Sequence, residues 1–329
     1  MTGPAQARPA YVAPRWLTGG HAQTIYPFVL RRTPVTYRRE RVTTADGDFW
    51  DFDWVGAPND GAAGPAPLLV LFHGLEGSSD SHYARALMRY VADRGWRGVV
   101  PHFRGCSGEI NRMPRAYHSG DHEEVAAILA AVTARAPGAP LYAAGVSLGG
   151  SALLNWLGRA GEAGRQLVVA AAAVSAPLDL AAAGHAIGRG FNRVYANHFL
   201  SSLKPKSLAM AQRYPGLLDS ARIRQARSLH AFDDVVTAPL HGFAGTEDYW
   251  RRASSAPWLL HIRVPTLVLN ARNDPFVPIG SLPEASAVSR DVAVERPNQG
   301  GHVGFLAAPF PGSSEWLPQR LLQFFQHGT

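Results

Sequence analysis

Short apolar runs of strand length alternate with helix-like patterns along most of this chain. Leu68–Phe72, Leu141–Val146 and Thr266–Leu269 are largely apolar, as expected of strands that are buried on both faces of a sheet. Helical patterns over Ser81–Arg94 and Asp121–Arg135 separate the first two of these runs. Strands that alternate with helices form a mostly parallel sheet covered on both faces. The sequence therefore predicts an α/β fold with a mostly parallel central sheet flanked by helices.

The alternation is interrupted from Pro177 to Pro257, where helical and aromatic stretches are broken by Pro and Gly and no strand signal occurs. We therefore expect a single domain over residues 1–329, with residues 177–257 as a helical cap or lid inserted within it. The remaining predicted elements are an irregular lead-in over residues 1–30, a hairpin of Val35–Val42 and Asp48–Val55, strands at Gly98–Val100, Leu167–Val174 and Val292–Val294, a helix at Ser147–Leu157, a helical stretch after Leu269, and a final helix at Trp316–Gln326.

The composition narrows the classes of function. Cys106 is the single cysteine, so an intrachain disulfide framework and a cysteine-rich zinc site are excluded. The net charge of +7 comes almost wholly from arginines that are spread along the chain, so a nucleic-acid partner is not predicted. The densest basic stretch runs from Arg31 to Arg41. We interpret it as a solvated sheet edge, and a lipid-headgroup patch that contacts a membrane surface transiently is the alternative.

Neither a secretory signal nor a membrane span is predicted. Met1–Trp16 lacks the apolar core of a signal peptide. The longest apolar stretch, Leu167–Val174, is far shorter than the roughly 20 residues that a membrane-spanning helix needs. We therefore expect a cytoplasmic protein, and the sequence does not predict its oligomeric state.

The motif Gly145-Val146-Ser147-Leu148-Gly149 joins a predicted strand to a predicted helix. This is the context of a G-x-S-x-G nucleophile elbow, in which a serine lies on a sharp turn. Flanking glycines avoid side-chain clashes where the backbone is crowded, and the helix N-terminus directs amide groups toward a developing oxyanion. Ser147 is therefore the candidate nucleophile, and the Leu148 amide is a candidate oxyanion-hole donor.

A second motif, His73-Gly74-Leu75-Glu76-Gly77, follows the buried strand Leu68–Phe72. In proteins built around such an elbow, the loop at this place supplies the other oxyanion-hole amide. We assign that donor to the N–H of Leu75. Turn chemistry alone would also explain the His73-Gly74 pair.

A serine nucleophile needs a general base, and the base needs an acid that orients it. Asp274 follows the strand Thr266–Leu269, and His302 lies in a glycine-rich loop after the last short strand. The order Ser, Asp, His is the one expected with a G-x-S-x-G elbow. Ser147, Asp274 and His302 are therefore the predicted catalytic residues.

Other candidates are weaker. Asp179 also follows a predicted strand, but the helix that starts after it favours an N-cap. His118 and His122 have the spacing of a metal-binding pair, yet no third ligand is evident and Gly120 separates them, so no metal site is predicted. Cys106 is interpreted as a packed thiol, because no elbow follows it. No glycine-rich nucleotide-binding pattern occurs in the expected context, so no cofactor is predicted.

Several short motifs extend over nearly the whole chain: Gly19–Thr24, Asp46–Asp48, His73–Gly77, His102–Glu109, Tyr117–Gly120, Phe232–Asp234, Asp274–Phe276 and Gly300–Phe305. Together they resemble the YheT-like branch of the α/β-hydrolases. The resemblance implies the α/β-hydrolase fold and a serine hydrolase acting on carboxylic esters, with some family members acting on lipids or transferring acyl groups to alcohols. It also implies a triad of Ser147, Asp274 and His302.

The leading functional prediction is a serine esterase that acts on medium-chain or lipid-like acyl esters. Aromatic residues of the insertion that face the elbow would form an apolar acyl slot; the candidates are Phe191, Tyr195, Phe199, Tyr214, Phe232, Phe243, Tyr249 and Trp250. Acyl transfer to an alcohol is an alternative, because the acceptor depends on water access to the acyl-enzyme. A non-catalytic binding protein on the same scaffold is a third hypothesis, and the intact Ser147, Asp274 and His302 argue against it.

Overall fold

The computed structural model describes residues 10–30, 33–56 and 65–328. These described residues form one eight-stranded sheet. Its strands are β1 (Arg38–Thr43), β2 (Phe49–Val55), β3 (Leu68–Phe72), β4 (Arg97–Pro101), β5 (Leu141–Val146), β6 (Ala170–Val174), β7 (Thr266–Leu269) and β8 (Val292–Glu295). They lie in the order β1-β2-β4-β3-β5-β6-β7-β8. β2 pairs antiparallel with both of its neighbours, and all other pairs are parallel.

The helices are α1 (Gly20–Val29), α2 (His82–Ala92), α3 (His122–Arg135), α4 (Leu148–Ala160), α5 (Leu180–Ile187), α6 (Arg193–Arg213), α7 (Ser220–Gln225), α8 (Leu229–Phe232), α9 (Ala238–Leu240), α10 (Thr246–Ala253) and α11 (Trp316–His327). They cover both faces of the sheet, as the continuous apolar strands require. Val70 of β3 packs in a core with residues of α3 and α4, whereas its neighbour Leu71 packs with residues of α2 and α11. The predicted fold class, a mostly parallel sheet flanked by helices, is confirmed.

Parallel pairing brings the carboxyl ends of the central strands to one edge of the sheet. Phe72 at the end of β3 pairs with Gly145 near the end of β5, and Val146 pairs with Val174 of β6. Leu269 of β7 in turn pairs with Glu295 of β8. The loops that follow β3, β5, β7 and β8 therefore meet at the same edge.

Residues 177–257 contain α5 to α10. A five-residue π-helix, Asp233–Thr237, lies between α8 and α9. The segment has an apolar cluster of its own, which includes Leu200, Ile223, Phe232 and Val236. Residues of α6, α7 and α8 therefore pack against one another within this segment.

Two predicted segments differ from the structure. The lead-in contains α1, whose buried residues are Gln23, Thr24 and Pro27, so no apolar periodicity marks it as a helix. The stretch after β7 contains only two short 3₁₀ turns, Ile279–Ser281 and Ala285–Ala287. Prolines at 275, 278 and 283 explain this difference, because proline interrupts regular helix hydrogen bonding.

The arginine-rich stretch lies partly on the edge strand β1, while residues 31–32 fall outside the described residues. Arg39 and Arg41 of β1 form ion pairs with Asp53 and Asp51 of β2. Neighbouring carboxylates thus offset part of the positive charge of this edge. None of the helices in the described ranges combines the length and the apolar character needed to cross a membrane.

Candidate active site

Ser147 lies on the sharp turn between β5 and α4. Its backbone is in the left-handed region, with φ 53° and ψ −122°, an unfavourable conformation for a residue with a side chain. Close packing explains the glycine two residues later: a Cβ on Gly149 would lie 2.4 Å from the carbonyl oxygens of Phe72 and His73. The β5–α4 turn can therefore press against the end of β3 only with glycine at position 149.

The structure brings the side chains of Ser147, His302 and Asp274 together from three separate loops. The Ser147 Oγ lies 2.9 Å from the His302 Nε2, and the His302 Nδ1 lies 2.9 Å from the Asp274 Oδ2. The other carboxylate oxygen of Asp274, Oδ1, accepts hydrogen bonds from the amides of Phe276 and Val277 at 2.8 and 3.2 Å. With the Nδ1 proton donated to Asp274, the Nε2 lone pair faces the serine hydroxyl and can accept its proton.

Burial supports this arrangement. The side chain of Asp274 is fully buried, and that of His302 is only 10% exposed. Backbone amides and the imidazole N–H donate hydrogen bonds to the buried carboxylate, and these bonds replace the water that it loses on burial. The arrangement can thus move a proton from a serine hydroxyl to an imidazole whose orientation is held by a carboxylate.

Helix α1 holds the loops that carry Asp274 and His302, a role that no pattern in its sequence predicted. The Thr24 Oγ1 accepts a hydrogen bond from the backbone N–H of His302 at 2.9 Å. The Gln23 Oε1 accepts from the Asn273 side chain and from the Gly300 amide, both at 2.9 Å. The Gly19–Thr24 motif is the sequence feature that could have pointed to this role. It contributed to the family resemblance, but it has no apolar periodicity that predicts a helix.

Thr24→Val is expected to lower kcat for ester hydrolysis by roughly 10- to 100-fold, because small displacements of a catalytic group have effects of this size. Valine keeps the shape of threonine but cannot accept the N–H of His302. Thr133→Val is the matched control, since both threonine hydroxyls also donate to the carbonyl four residues earlier in their helix. Steady-state kinetics of both variants would check the prediction, and equal rates in the two would contradict it.

The two amides predicted as oxyanion-hole donors belong to Leu148, the residue after Ser147, and to Leu75. Leu148 is the first residue of α4, so its N–H has no intrahelical acceptor. Leu75 lies in the loop after β3. Within the described ranges, neither amide donates to another protein group. Both leucines line the same cavity as Ser147 and His302.

His73 supports the β3 loop from within the core. Its Nε2 accepts a hydrogen bond from the Phe103 amide at 3.0 Å, and its Nδ1 lies 2.8 Å from the carbonyl oxygen of Gly74. This pattern requires a neutral imidazole with the proton on Nδ1. Burial lowers the pKa of His73 to about 3, so the ring stays neutral at physiological pH. His73 is thus a buried structural residue of this loop.

The weaker candidates have structural partners. The Asp179 carboxylate accepts from the Ala182 amide and caps α5. The His118 ring packs on the His241 ring, with 4.4 Å between centroids, and burial lowers the pKa of His118 to about 3. No group of three or more His, Cys, Asp or Glu in the described ranges is arranged to hold a metal ion. Burial raises the pKa of the Cys106 thiol to about 12, so this sulfur stays protonated.

A cavity of about 190 Å³ opens beside Ser147. Its walls come both from the sheet-end loops and from residues 177–257. The apolar residues from the latter segment are Leu180, Ala183, Ile187, Phe199, Leu203, Met210, Leu229, Phe232, Val236, Leu240, Tyr249 and Trp250. The aromatic candidates Phe199, Phe232, Tyr249 and Trp250 therefore line this cavity, whereas Phe191 is 53% exposed.

Comparisons with known proteins agree with this architecture. A family model described as the alpha/beta hydrolase fold matches residues 67–309. The chain is 39% identical to the YheT protein of Escherichia coli (strain K12), covering 94% of this chain and 91% of that protein. It is 31% identical to the phospholipase ABHD3 of Homo sapiens, covering 94% of this chain and 77% of that protein.

Among solved structures, the esterase EaEST from Exiguobacterium antarcticum superposes with a TM-score of 0.56 at 14% identity. The match covers 88% of this chain and all of that structure, and at this identity it supports the fold alone. The family match and the two relatives confirm the resemblance drawn from the sequence motifs. The chain belongs to the α/β-hydrolase family, in the branch that includes the YheT protein.

Proposed function

We propose that this protein is a serine hydrolase that cleaves carboxylic esters through an acyl-enzyme on Ser147. The observation that carries the proposal is the continuous hydrogen-bonded arrangement from the Ser147 hydroxyl through His302 to the buried carboxylate of Asp274. Its relatives support the proposal, since one that matches over nearly the whole chain is named a phospholipase.

In the proposed mechanism, the Ser147 oxygen attacks the acyl carbon while His302 Nε2 accepts the serine proton. Asp274 keeps the second imidazole proton on Nδ1 and stabilises the imidazolium. The amides of Leu75 and Leu148 donate to the carbonyl oxygen as it becomes negatively charged. The tetrahedral intermediate then expels the alcohol, which receives the proton from His302. Water attacks the acyl-enzyme in the same way, releasing the acid and restoring Ser147.

Residues 177–257 act in this proposal as a cap that forms the acyl slot, within a single hydrolase domain. The support is the shared cavity, whose walls include both Ser147 and apolar residues of α5, α6 and α8. Burying each methylene of an acyl chain in such a slot would contribute ~0.8 kcal/mol, or ~4-fold in kcat/KM. The proposed substrates are therefore medium-chain acyl esters, including lipid-like ones.

Labelling by a fluorophosphonate probe tests the assignment of the nucleophile. We expect the wild-type protein to react covalently, with the modified peptide containing Ser147, because His302 activates that hydroxyl. A denatured sample is the control for nonspecific labelling. A native protein that stays unlabelled would support a non-catalytic binding function instead. Product analysis with an added alcohol would reveal acyl transfer as an ester of that alcohol.

The chain-length profile on p-nitrophenyl esters tests the cap. We expect kcat/KM to rise from acetate toward medium chains and to fall once the slot is full. Leu203→Phe narrows the slot and should move the optimum to shorter chains. Val194→Phe adds the same ring to the same helix at an exposed position, so it should leave the optimum unchanged. A flat profile in the wild-type protein would overturn the cap proposal.

A further inference from the structure

Tyrosine hydroxyls hold the two amides that flank Leu75 in the oxyanion loop, which we define as residues 73–77. The Gly74 amide donates to the Tyr83 hydroxyl at 2.9 Å, and the Glu76 amide donates to the Tyr117 hydroxyl at 2.7 Å. In the described part of the chain, Leu75 has no such internal acceptor. The loop is thus anchored on both sides of the Leu75 amide.

Glu76 is the strained residue of this loop. Its φ of 55° lies in the left-handed region, which residues with a side chain disfavour. The Tyr117 hydroxyl compensates by accepting from the Glu76 amide and donating to the Glu76 Oε1 at 2.9 Å. Burial raises the pKa of Tyr117 well above its usual value, so the phenol stays protonated and can donate. One hydroxyl therefore holds both the main chain and the side chain of Glu76.

The second carboxylate oxygen of Glu76 connects this loop to the cap. The Lys206 Nζ of α6 lies 2.7 Å from the Glu76 Oε2. The Glu76 side chain is only 8% exposed, whereas that of Lys206 is 34% exposed. Removing the ammonium would leave a largely buried carboxylate without its counter-ion, which is strongly unfavourable.

The other cations that line the cavity are paired in a different way. Arg104 binds Glu124 and Asp48, and Arg115 binds Asp121, so the partners of both lie outside the cap. Lys206 instead comes from the cap and reaches across to the oxyanion loop. Its ion pair therefore depends on α6 being docked over the active site.

We propose that Tyr117, Glu76 and Lys206 are positioning residues that together hold the Leu75 amide in its oxyanion-binding orientation, with Lys206 making that orientation depend on the docked cap. The inference rests on the proposed ester hydrolysis and assigns to the cap a role in transition-state stabilisation. Because the oxyanion forms only during reaction, loss of the Lys206–Glu76 pair should affect the chemical step more than substrate binding.

Kinetics of Lys206→Met on a medium-chain p-nitrophenyl ester provide the first test. Loss of a whole oxyanion donor lowers kcat by about 10²–10³-fold, so a displaced donor is expected to lower it by ~10-fold with KM changed by less than ~2-fold. Lys206→Arg should keep most of the wild-type kcat, since arginine can form the same ion pair. Lys204→Met is the matched control: this neighbouring lysine of α6 donates to the carbonyls of Arg224 and Ala226 within the cap.

Inhibitor binding separates an oxyanion effect from a general loss of structure. A medium-chain alkyl trifluoromethyl ketone adds the serine oxygen to its carbonyl carbon and forms an oxyanion, with the serine proton passing to His302. The matching methyl ketone reports ground-state binding. Lys206→Met should weaken binding of the trifluoromethyl ketone by ~10-fold and leave binding of the methyl ketone unchanged. Tyr117→Phe should likewise weaken binding of the trifluoromethyl ketone.

Coupling between the two charges is the last test. Glu76→Gln keeps an acceptor for Tyr117 but removes the ion pair, so adding Lys206→Met to Glu76→Gln should cause no further loss of kcat. Wild-type activity in Lys206→Met, equal losses in Lys206→Met and Lys204→Met, or parallel weakening of both ketones would overturn the proposal. A wild-type protein without esterase activity would instead overturn the proposed function on which it rests.

Discussion

Ser147→Ala is expected to lower kcat for ester hydrolysis by ~10⁴–10⁶-fold, because the proposed acyl-enzyme forms on the Ser147 oxygen. The Ser147 hydroxyl is the group that lies 2.9 Å from the His302 Nε2. Alanine has the same Cβ as serine and tolerates the left-handed backbone about equally, so the fold should persist. Steady-state rates, with thermal unfolding to verify folding, would check this result.

Ser151→Ala is the matched control for this variant. Ser151 lies one turn further along α4, and its hydroxyl donates to the Pro177 carbonyl at 2.7 Å rather than to a catalytic group. We expect Ser151→Ala to change stability slightly while kcat stays near the wild-type value. Near-wild-type turnover in Ser147→Ala would exclude Ser147 as the nucleophile.

Asp274→Asn is expected to lower kcat by ~10⁴-fold, through the tautomer of His302. The Asp274 Oδ1 accepts two backbone amides, so an asparagine would keep its carbonyl oxygen at that place. Its NH₂ group would then face the His302 Nδ1 and make that nitrogen the acceptor. The imidazole proton would move to Nε2, where it faces Ser147 and cannot receive the serine proton. The pH-independent kcat of the variant measures this effect.

Asp179→Asn distinguishes the two candidate acids. Asp179 follows β6 and caps α5, and asparagine is a comparably good N-cap. Its replacement should therefore leave kcat within a few-fold of wild type. If Asp179→Asn were more damaging than Asp274→Asn, Asp179 would be the acid that orients the histidine.

Much of the fold was predictable because its buried strands are continuous apolar runs in the sequence. β3 is buried on both faces, so every residue of Leu68–Phe72 is apolar and the run is visible without any tertiary information. The elbow at Ser147 was equally visible in the sequence, since its glycines are required where the backbone is too crowded for a side chain. By contrast, α1 contacts the rest of the protein through buried Gln23 and Thr24, and polar contacts of this kind leave no hydrophobic period.

The fold class, the family and the candidates Ser147, Asp274 and His302 could be read from the sequence alone, because they follow from local patterns, motifs and chain order. How these side chains meet depends on the folded chain, since the 2.9 Å separations arise from strand order and from loops held by α1. The same holds for the residues of 177–257 that line the cavity beside Ser147 and for the approach of Lys206 to Glu76. Contacts between residues far apart in the chain depend on how whole elements dock, and no short stretch of sequence encodes that docking.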